Sequence, residues 1–463
     1  MRRRARAARR DRAAARDDRA RGGVDRARAA ADRIAGGDPT RSVAFAGPMP
    51  PTPSGVATYD RAVIEGLGRI GFTDRMPIET IWPVDHRHLA TIGRYRVGVY
   101  QLGNNIEHHL GVYRLAWSFP GLVVLHDLAL DDFVRGLQAT GDMLGLAAMR
   151  EALAAHRALE ASKFEVDGPL RVPWSAAIVR HARGVIVHAP FAARYLEAFG
   201  CRTPIFVVPH PPVEPAAAVA GALARGRALR SLVEARGGRS LVVAAGDMNE
   251  AKQLRAVAAA VAGLEPDVHL AVVGRRVPTY DVDADLRSVA LGDRLRVHAD
   301  VADEDFLGWL AAADVVVDLR YPHRGEVSGT LVRAKQLGRA TVVSATGAYL
   351  DEERGTVAPI PAGPVDARDL AVRLGHLLAD GPARHAIGDA ARASMERAQQ
   401  ADATAHRYAA AIEATAALVH DPVAEPMHRW ASSLVEIGVM PEDLARGWGR
   451  RYADALESFK RTS

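Results

Sequence analysis

A single cysteine in 463 residues, Cys201, has no partner in the chain, so the fold cannot rest on an internal disulfide or on a zinc site built from several thiolates. No apolar run approaches the ~18–20 residues that cross a bilayer, and the N-terminus lacks an apolar secretory segment. The expectation is a cytoplasmic protein. The spacings of a Walker loop and of a dinucleotide fingerprint are missing too, which sets aside ATPase and dehydrogenase readings. Histidines pair up at His86 and His88 and at His108 and His109 without a matching set of carboxylates or thiols, so no metal is expected.

What is present is unevenly distributed. The formal net charge is +5, but the first 35 residues hold 13 Arg and 5 Asp, which leaves the rest of the chain at −3. Residues 1–38, almost only Arg, Ala, Gly and Asp, have too few large apolar side chains to bury and are expected to form a disordered basic arm. Such an arm is a solvated extension in the plainest reading and a peripheral contact to the acidic inner face of a membrane in the functional one. Without aromatic residues among the charges, no specific nucleic-acid partner is expected.

From Ser42 the chain alternates short apolar runs with amphipathic segments, the pattern of doubly wound α/β architecture. Strands are expected at Ser42–Ala46, Val97–Gln101, Leu122–Leu125, Val185–Val187 and Ile205–Val208. The prolines at 209, 211, 212 and 215 then break the pattern, and strands resume at Leu241–Ala245, His269–Val273, Leu295–His298, Val315–Asp318 and Thr341–Ser344. This divides the chain into a Rossmann-like domain at 39–212, a second at 213–398, and C-terminal helices at 399–463. The first of those helices is expected to cross back to the N-terminal domain, and a further pair to fall between Pro426 and Phe459. Two such domains enclose a cleft at the carboxyl ends of their strands, where ligands of open α/β sheets bind.

Chemistry-bearing residues fall at those strand ends. The stretch from Asp314 to Ser344 runs from a fully apolar strand through Pro322 into a helix opened by Ser328, Gly329 and Thr330, with Glu326 in the loop before it. A helix N-terminus offers free N–H groups and about half a positive charge to a diphosphate, and a glutamate accepts bonds from sugar hydroxyls. Arg320 adds positive field. Gly246 closes a strand ahead of Asp247 and Lys252, a lysine that would face the same cleft. In the first domain Ser54 and Gly55 open a helix after the loop GPMPPTPSG, and the strand Leu122–Leu125 ends in His126, with Asp127 next to it to orient the ring.

Taken in order, Gly47–Tyr59, YQLGNNIEHH from Tyr100, PGLVVLHD from Pro120, GVIVHAPF from Gly184, Gly246–Lys252 and LRYPHRGEVSGTLVRA from Leu319 resemble a bacterial retaining glycosyltransferase of family 4, with the GT-B fold. The resemblance spans Ser42 to about Val419. It implies a nucleotide-diphosphate sugar donor, carrying a hexose-type sugar, on the second domain and an acceptor (glycan, lipid or small molecule) on the first. It further implies retention by same-face transfer, no required metal, and no cofactor beyond the nucleotide-sugar, which is a substrate. Lys252 matches the lysine that grips the diphosphate, and His126 the histidine beside the sugar and its phosphate. Asp247 stands where an arginine is usual. Of two customary glutamates, the first position falls on Gly325, with Glu326 beside it to inherit the sugar contact, and the second, near the ribose, falls on Arg333. The catalytic set implied is His126, Lys252 and Glu326, with Gly55, Arg320, Ser328, Gly329, Thr330 and Arg333 at the donor. Replacing Lys252 or Glu326 by alanine is expected to weaken transfer and leave the fold intact. The alternatives are a sugar-nucleotide-binding GT-B protein without catalysis, a GT-B epimerase, and a membrane- or nucleic-acid-binding module driven by the arm.

Overall fold

The computed structural model describes residues 41–400 and 402–418. The basic arm expected at 1–38 and the helix pair expected between Pro426 and Phe459 lie outside the described residues. Two six-stranded parallel sheets form the body. The first contains β1 (Val43–Ala46), β2 (Ile78–Ile81), β3 (Val97–Leu102), β4 (Leu122–Leu125), β5 (Gly184–Val187) and β6 (Ile205–Val207), in the order β2-β1-β3-β4-β5-β6. The second contains β7 (Ser240–Ala245), β8 (Val268–Gly274), β9 (Leu295–Ala299), β10 (Val315–Asp318), β11 (Ala340–Ser344) and β12 (Ala358–Ile360), in the order β12-β11-β10-β7-β8-β9. Helices cover both faces, so the inner strands are buried on both sides and read as unbroken apolar runs. Strands β2 and β12, absent from the expectation, each lie at one edge of their sheet, opposite β6 and β9. Ile78–Ile81 is half exposed, with Glu79 and Thr80 between its two isoleucines, and Ala358–Ile360 carries Pro359, tolerated only where no further strand needs its N–H.

The linker after β6 does not hang free. Gln336, at the end of the helix Gly329–Gln336, accepts from the Val213 and Glu214 amides at 3.0 and 3.1 Å and donates to the Glu214 carbonyl at 3.0 Å. One side chain thereby satisfies backbone groups that the prolines leave without a regular partner.

The alanine-rich helix Ala403–Ala417, a sequence of high helix propensity, packs on the first sheet. Tyr408, Ala411 and Ile412 share a core with Val43, Phe45, Tyr59 and Val63. Arg69 binds Asp402 at 2.8 Å where the chain crosses over.

The domains also touch across the cleft. The Leu128 and Ala129 amides donate to the Arg324 carbonyl at 2.9 and 3.2 Å, and Arg324 reaches Asp131 at 2.8 Å. Gly325, at φ +79, lies against Leu128 so closely that any side chain there would strike it. Farther along, Asp351 of the second domain accepts from the Phe191 amide at the start of the helix Pro190–Ala198 and pairs with Arg194 at 3.0 Å. Among the described residues no helix is long and apolar enough to cross a membrane.

Candidate functional site

On the second-domain side, β10 delivers Asp318 to the cleft end of the sheet, fully buried, and the turn Glu250–Lys252 after β7 brings Lys252 onto it. Lys252 is only 6 % exposed. Burial draws its pKa below the usual lysine range against the pull of Asp318. For Asp318, burial is outweighed by Lys252 and Arg320, which hold it below the usual carboxylate range. The second Asp318 oxygen accepts from the Tyr349 hydroxyl at 2.8 Å.

Arg320, two residues on, ties the loop together. It donates to Tyr349 Oη at 3.0 Å, to Ser328 Oγ at 3.2 Å and to Glu326. The other Glu326 oxygen accepts from the Arg324 amide at 2.7 Å. Burial alone would raise the Glu326 pKa, but Arg320 and the amides prevail and hold it low, so Glu326 is a carboxylate.

Ser328 caps the helix Gly329–Gln336 by accepting from the Leu331 amide at 3.2 Å, a bond that does not use the Gly329 and Thr330 amides. Gly329 faces open space. Gly246, at φ +115, is where the parts converge: a methyl group placed there would lie 3.0 Å from Thr330 Oγ1 and 3.2 Å from Lys252 Nζ. Gly274, at the end of β8, lies directly against the Gly246 carbonyl, so the loops after β7 and β8 run side by side. From the second of these loops Arg275 grips Asp247 with two nitrogens, at 2.7 and 3.2 Å, and reaches over to the Pro53 carbonyl of the first domain at 3.0 Å.

On the first-domain side the groups around His126 are neutral. His126 Nε2 lies 2.9 Å from Gln101 Oε1, and the Gln101 amide donates to Tyr408 Oη at 2.7 Å. With the amide in that orientation, Nε2 carries the proton and Nδ1 is an acceptor. Tyr59, His188 and His210 surround the ring; the centroids of Tyr59 and His188 lie 4.8 and 5.1 Å from that of His126, and His210 stands 5.0 Å from Tyr59. Burial, then the neighbouring histidines, puts His126 well below the usual imidazole range. Burial likewise takes His188 down to about 4 and His210 to about 3.

Asp127, expected to orient His126, binds elsewhere. Its Oδ2 accepts from the Asn104 amide at 2.9 Å, and burial followed by the nearby Glu326 raises its pKa to about 6. Gln101 does the orienting, because β3 is the neighbour of β4 and presents its side chain at the same level.

The remaining expected residues divide. Gly55 starts the helix Gly55–Arg69 behind the Ser54 cap and faces open space. Arg333 lies one turn into its helix, donating to Glu214 of the linker at 2.7 Å with its guanidinium over the Phe306 ring. Sequence reading missed Asp318, Tyr349, Gln101, His188, His210, Glu214 and Arg275 as partners. A signal existed for the histidines: VLHD, VIVHA and VVPHP each place one just past a strand of the first sheet. Among the described residues no group of three or more His, Cys, Asp or Glu side chains is arranged to hold a metal ion.

No protein-family model matches the chain, and no curated protein matches it significantly. Solved structures do. HepE of Anabaena in complex with UDP superposes with a TM-score of 0.55 at 14% identity over 81% of this chain and 100% of that one, and it has also been solved with UDP-glucose. Sucrose-phosphate synthase from Thermosynechococcus elongatus gives 0.52 at 16% identity over 78% of this chain and 96% of that one. A glycosyltransferase from Rickettsia africae gives 0.52 at 10% identity, covering 80% and 96%. The likeness is one of fold: two facing α/β domains of the GT-B type.

Proposed function

We propose that this GT-B chain transfers a hexose-type sugar from a nucleoside-diphosphate donor to an acceptor with retention, needing no metal or cofactor. The observation that carries the reading is that Lys252 and Thr330 meet at Gly246 beside the open helix start at Gly329, and that Arg320 ties Glu326 to Ser328, the cap of that same helix. The backbone just after His126 is hydrogen-bonded to the loop bearing Glu326. Neighbours of this fold solved with UDP and UDP-glucose add support.

In this reading the Gly329 and Thr330 amides and the helix dipole receive the diphosphate, with Lys252 and Arg320 supplying positive field. Gly55, at the facing helix start, lets the first domain approach. Glu326 accepts from sugar hydroxyls. His126, a neutral imidazole, bonds a sugar hydroxyl or phosphate oxygen and places the anomeric carbon. Arg333, compensated by Glu214, stands near the ribose. The acceptor lies along the neutral first-domain wall, and the departing phosphate takes its proton. A preorganised donor of this kind is worth about 2.7–4 kcal/mol of barrier.

A second reading, donor binding without transfer, is favoured by one observation: Glu326 is already occupied by Arg320 and the Arg324 amide. The two part on turnover. The experiment is a thermal-shift screen with UDP, GDP and ADP sugars, where saturation at 100 times Kd adds about 2.7 kcal/mol, followed by NMR of the anomeric proton in any product. An α-linked product from an α-linked donor is expected, and His126→Ala should lower turnover more than donor affinity. Binding without product would select the second reading. Absence of any shift across the panel would sink both.

A further inference from the structure

The cations of the cleft are not equally free to meet a ligand. Lys252 is buried against a fully buried Asp318, and Arg320 against a buried Glu326. Arg333 is held by Glu214 with both side chains at 15 % exposure or less. Drawing any of these toward a phosphate would strip a buried carboxylate of its counter-ion. Arg275 differs. Its side chain is 51 % exposed and that of Asp247 is 44 % exposed, so their pairing is of the weak, water-screened kind and opens at little cost.

Arg275 is also well placed. It follows Gly274, whose backbone touches Gly246, the residue at which Lys252 and Thr330 meet. The Met248 amide donates to the Arg275 carbonyl at 2.8 Å, which fixes the two loops in register. From there the guanidinium spans the cleft to the Pro53 carbonyl, next to the Ser54 cap and the open helix start at Gly55. A planar fork suits two phosphate oxygens at once.

We propose that Arg275 is the exchangeable cation of the cleft: it leaves Asp247 for the diphosphate of the ligand while keeping its reach to the first-domain loop, and Asp247 acts as the counter-ion that competes with the ligand. The assignment rests on the nucleotide-sugar reading above and adds to it a gripping residue outside the Gly246–Lys252 loop. It carries a consequence of opposite signs. Removing the arginine weakens phosphate binding, whereas neutralising the aspartate strengthens it.

The test is calorimetric titration of the wild-type chain and of Arg275→Ala, Arg275→Gln and Asp247→Asn with UDP, GDP, ADP and inorganic pyrophosphate, and with the corresponding nucleosides as controls. Because both side chains are surface groups, the variants should keep the wild-type melting temperature. The expected result is a loss of about tenfold or more in diphosphate affinity for both arginine variants and a gain of several-fold for Asp247→Asn, with nucleoside affinity unchanged. Wild-type binding of a diphosphate that Arg275→Ala retains within twofold would overturn the role of Arg275 and leave the donor reading standing. Equal losses in Asp247→Asn and Arg275→Ala would also overturn it, since they mark the pair as structural. A wild-type chain that binds none of the diphosphates would overturn both, and that result is read from the wild type alone.

Discussion

The two walls of the cleft solve the problem of burying polar groups in opposite ways. Around His126 the first-domain wall is made of uncharged donors and acceptors: His126, His188 and His210 held neutral, Tyr59, and Gln101 bridging to Tyr408; its carboxylates, Asp127 and Asp131, stand nearer the second-domain loop. The second-domain wall is made of full charges, each matched by an opposite one, Lys252 with Asp318 and Arg320 with Glu326. The neutral wall suits hydroxyl groups, and the charged wall, with its open helix start, suits an anion. Their weaknesses differ accordingly. Matched buried charges fail when one partner is removed, and neutral imidazoles fail when acid protonates them.

The sharpest way to break the comparison is at Asp318. Asp318→Ala leaves Lys252 buried and uncompensated, and a loss of about 3–5 kcal/mol is expected in urea denaturation. Adding Lys252→Met should recover most of it, a coupling that a double-mutant cycle measures. Lys252→Ala alone should also cost stability, by less, because the buried Asp318 then loses its bonded cation and keeps only Tyr349 and the nearby Arg320. The sequence-based expectation is that this lysine can be removed with the fold intact, and the buried pair adds to it a cost in stability: nothing in the loop Gly246–Lys252 reveals that its partner sits at the end of β10.

Next comes Asp127, a first-domain carboxyl beside Glu326. Its folded pKa, about 6, lies above the unfolded value near 3.8, so the native state holds the proton more tightly and stability falls as pH rises from about 4 to 6. Asp127→Asn keeps an acceptor for the Asn104 amide and removes the charge. The variant should be more stable than wild type by about 2–3 kcal/mol at pH 7 and equal to it near pH 4, as measured by denaturation across that range.

The histidines carry the opposite sign. His188 titrates at about 4 in the fold against 6.5 when exposed, so the unfolded chain binds the proton first and stability falls as pH drops below 6.5. His188→Asn retains a donor for the Val208 carbonyl, which the ring nitrogen Nδ1 meets at 3.0 Å. It should lessen the acid loss by about 1 kcal/mol at pH 5.5, seen as a shallower slope of stability against pH. An unchanged slope would mean that His188 is not the group that resists protonation.

An effect of similar size is expected of Tyr408→Phe, which deletes the hydroxyl that receives the Gln101 amide. A cost of about 1 kcal/mol is expected. With that restraint gone the amide can turn over, and the imidazole nitrogen shifts of His126 should report a changed tautomer. A loss of stability with unchanged shifts would show that Gln101 is fixed by something other than Tyr408.

How much of this was legible beforehand follows from where each signal resides. Runs such as Val315–Val317 and Leu122–Leu125 announce inner strands because burial on both faces admits only apolar residues. Ile78–Ile81 and Ala358–Ile360 do not, since an edge strand is free to carry glutamate or proline. The loop from Leu319 to Thr330 was readable because glycine, proline and a capping serine mark it locally. The partners of its charged residues were not. Lys252 with Asp318, Arg333 with Glu214 and Gln101 with Tyr408 are far apart along the chain, and spacing within a segment says nothing of what a neighbouring strand brings alongside.

The helix Ala403–Ala417 also sets an order in time. During synthesis the whole first sheet emerges well before the segment that completes the cover of one of its faces, and the second domain comes between them. Until Tyr408 and Ile412 arrive, Val43 and Phe45 have only Tyr59, Val63 and Leu67 of the helix Gly55–Arg69 and Phe72 on that face, and Gln101 lacks the hydroxyl that sets its direction. The domain whose residues are made first is therefore the last to be finished. A chain cut at the proline linker is not half of a working pair but a sheet with one face only partly covered.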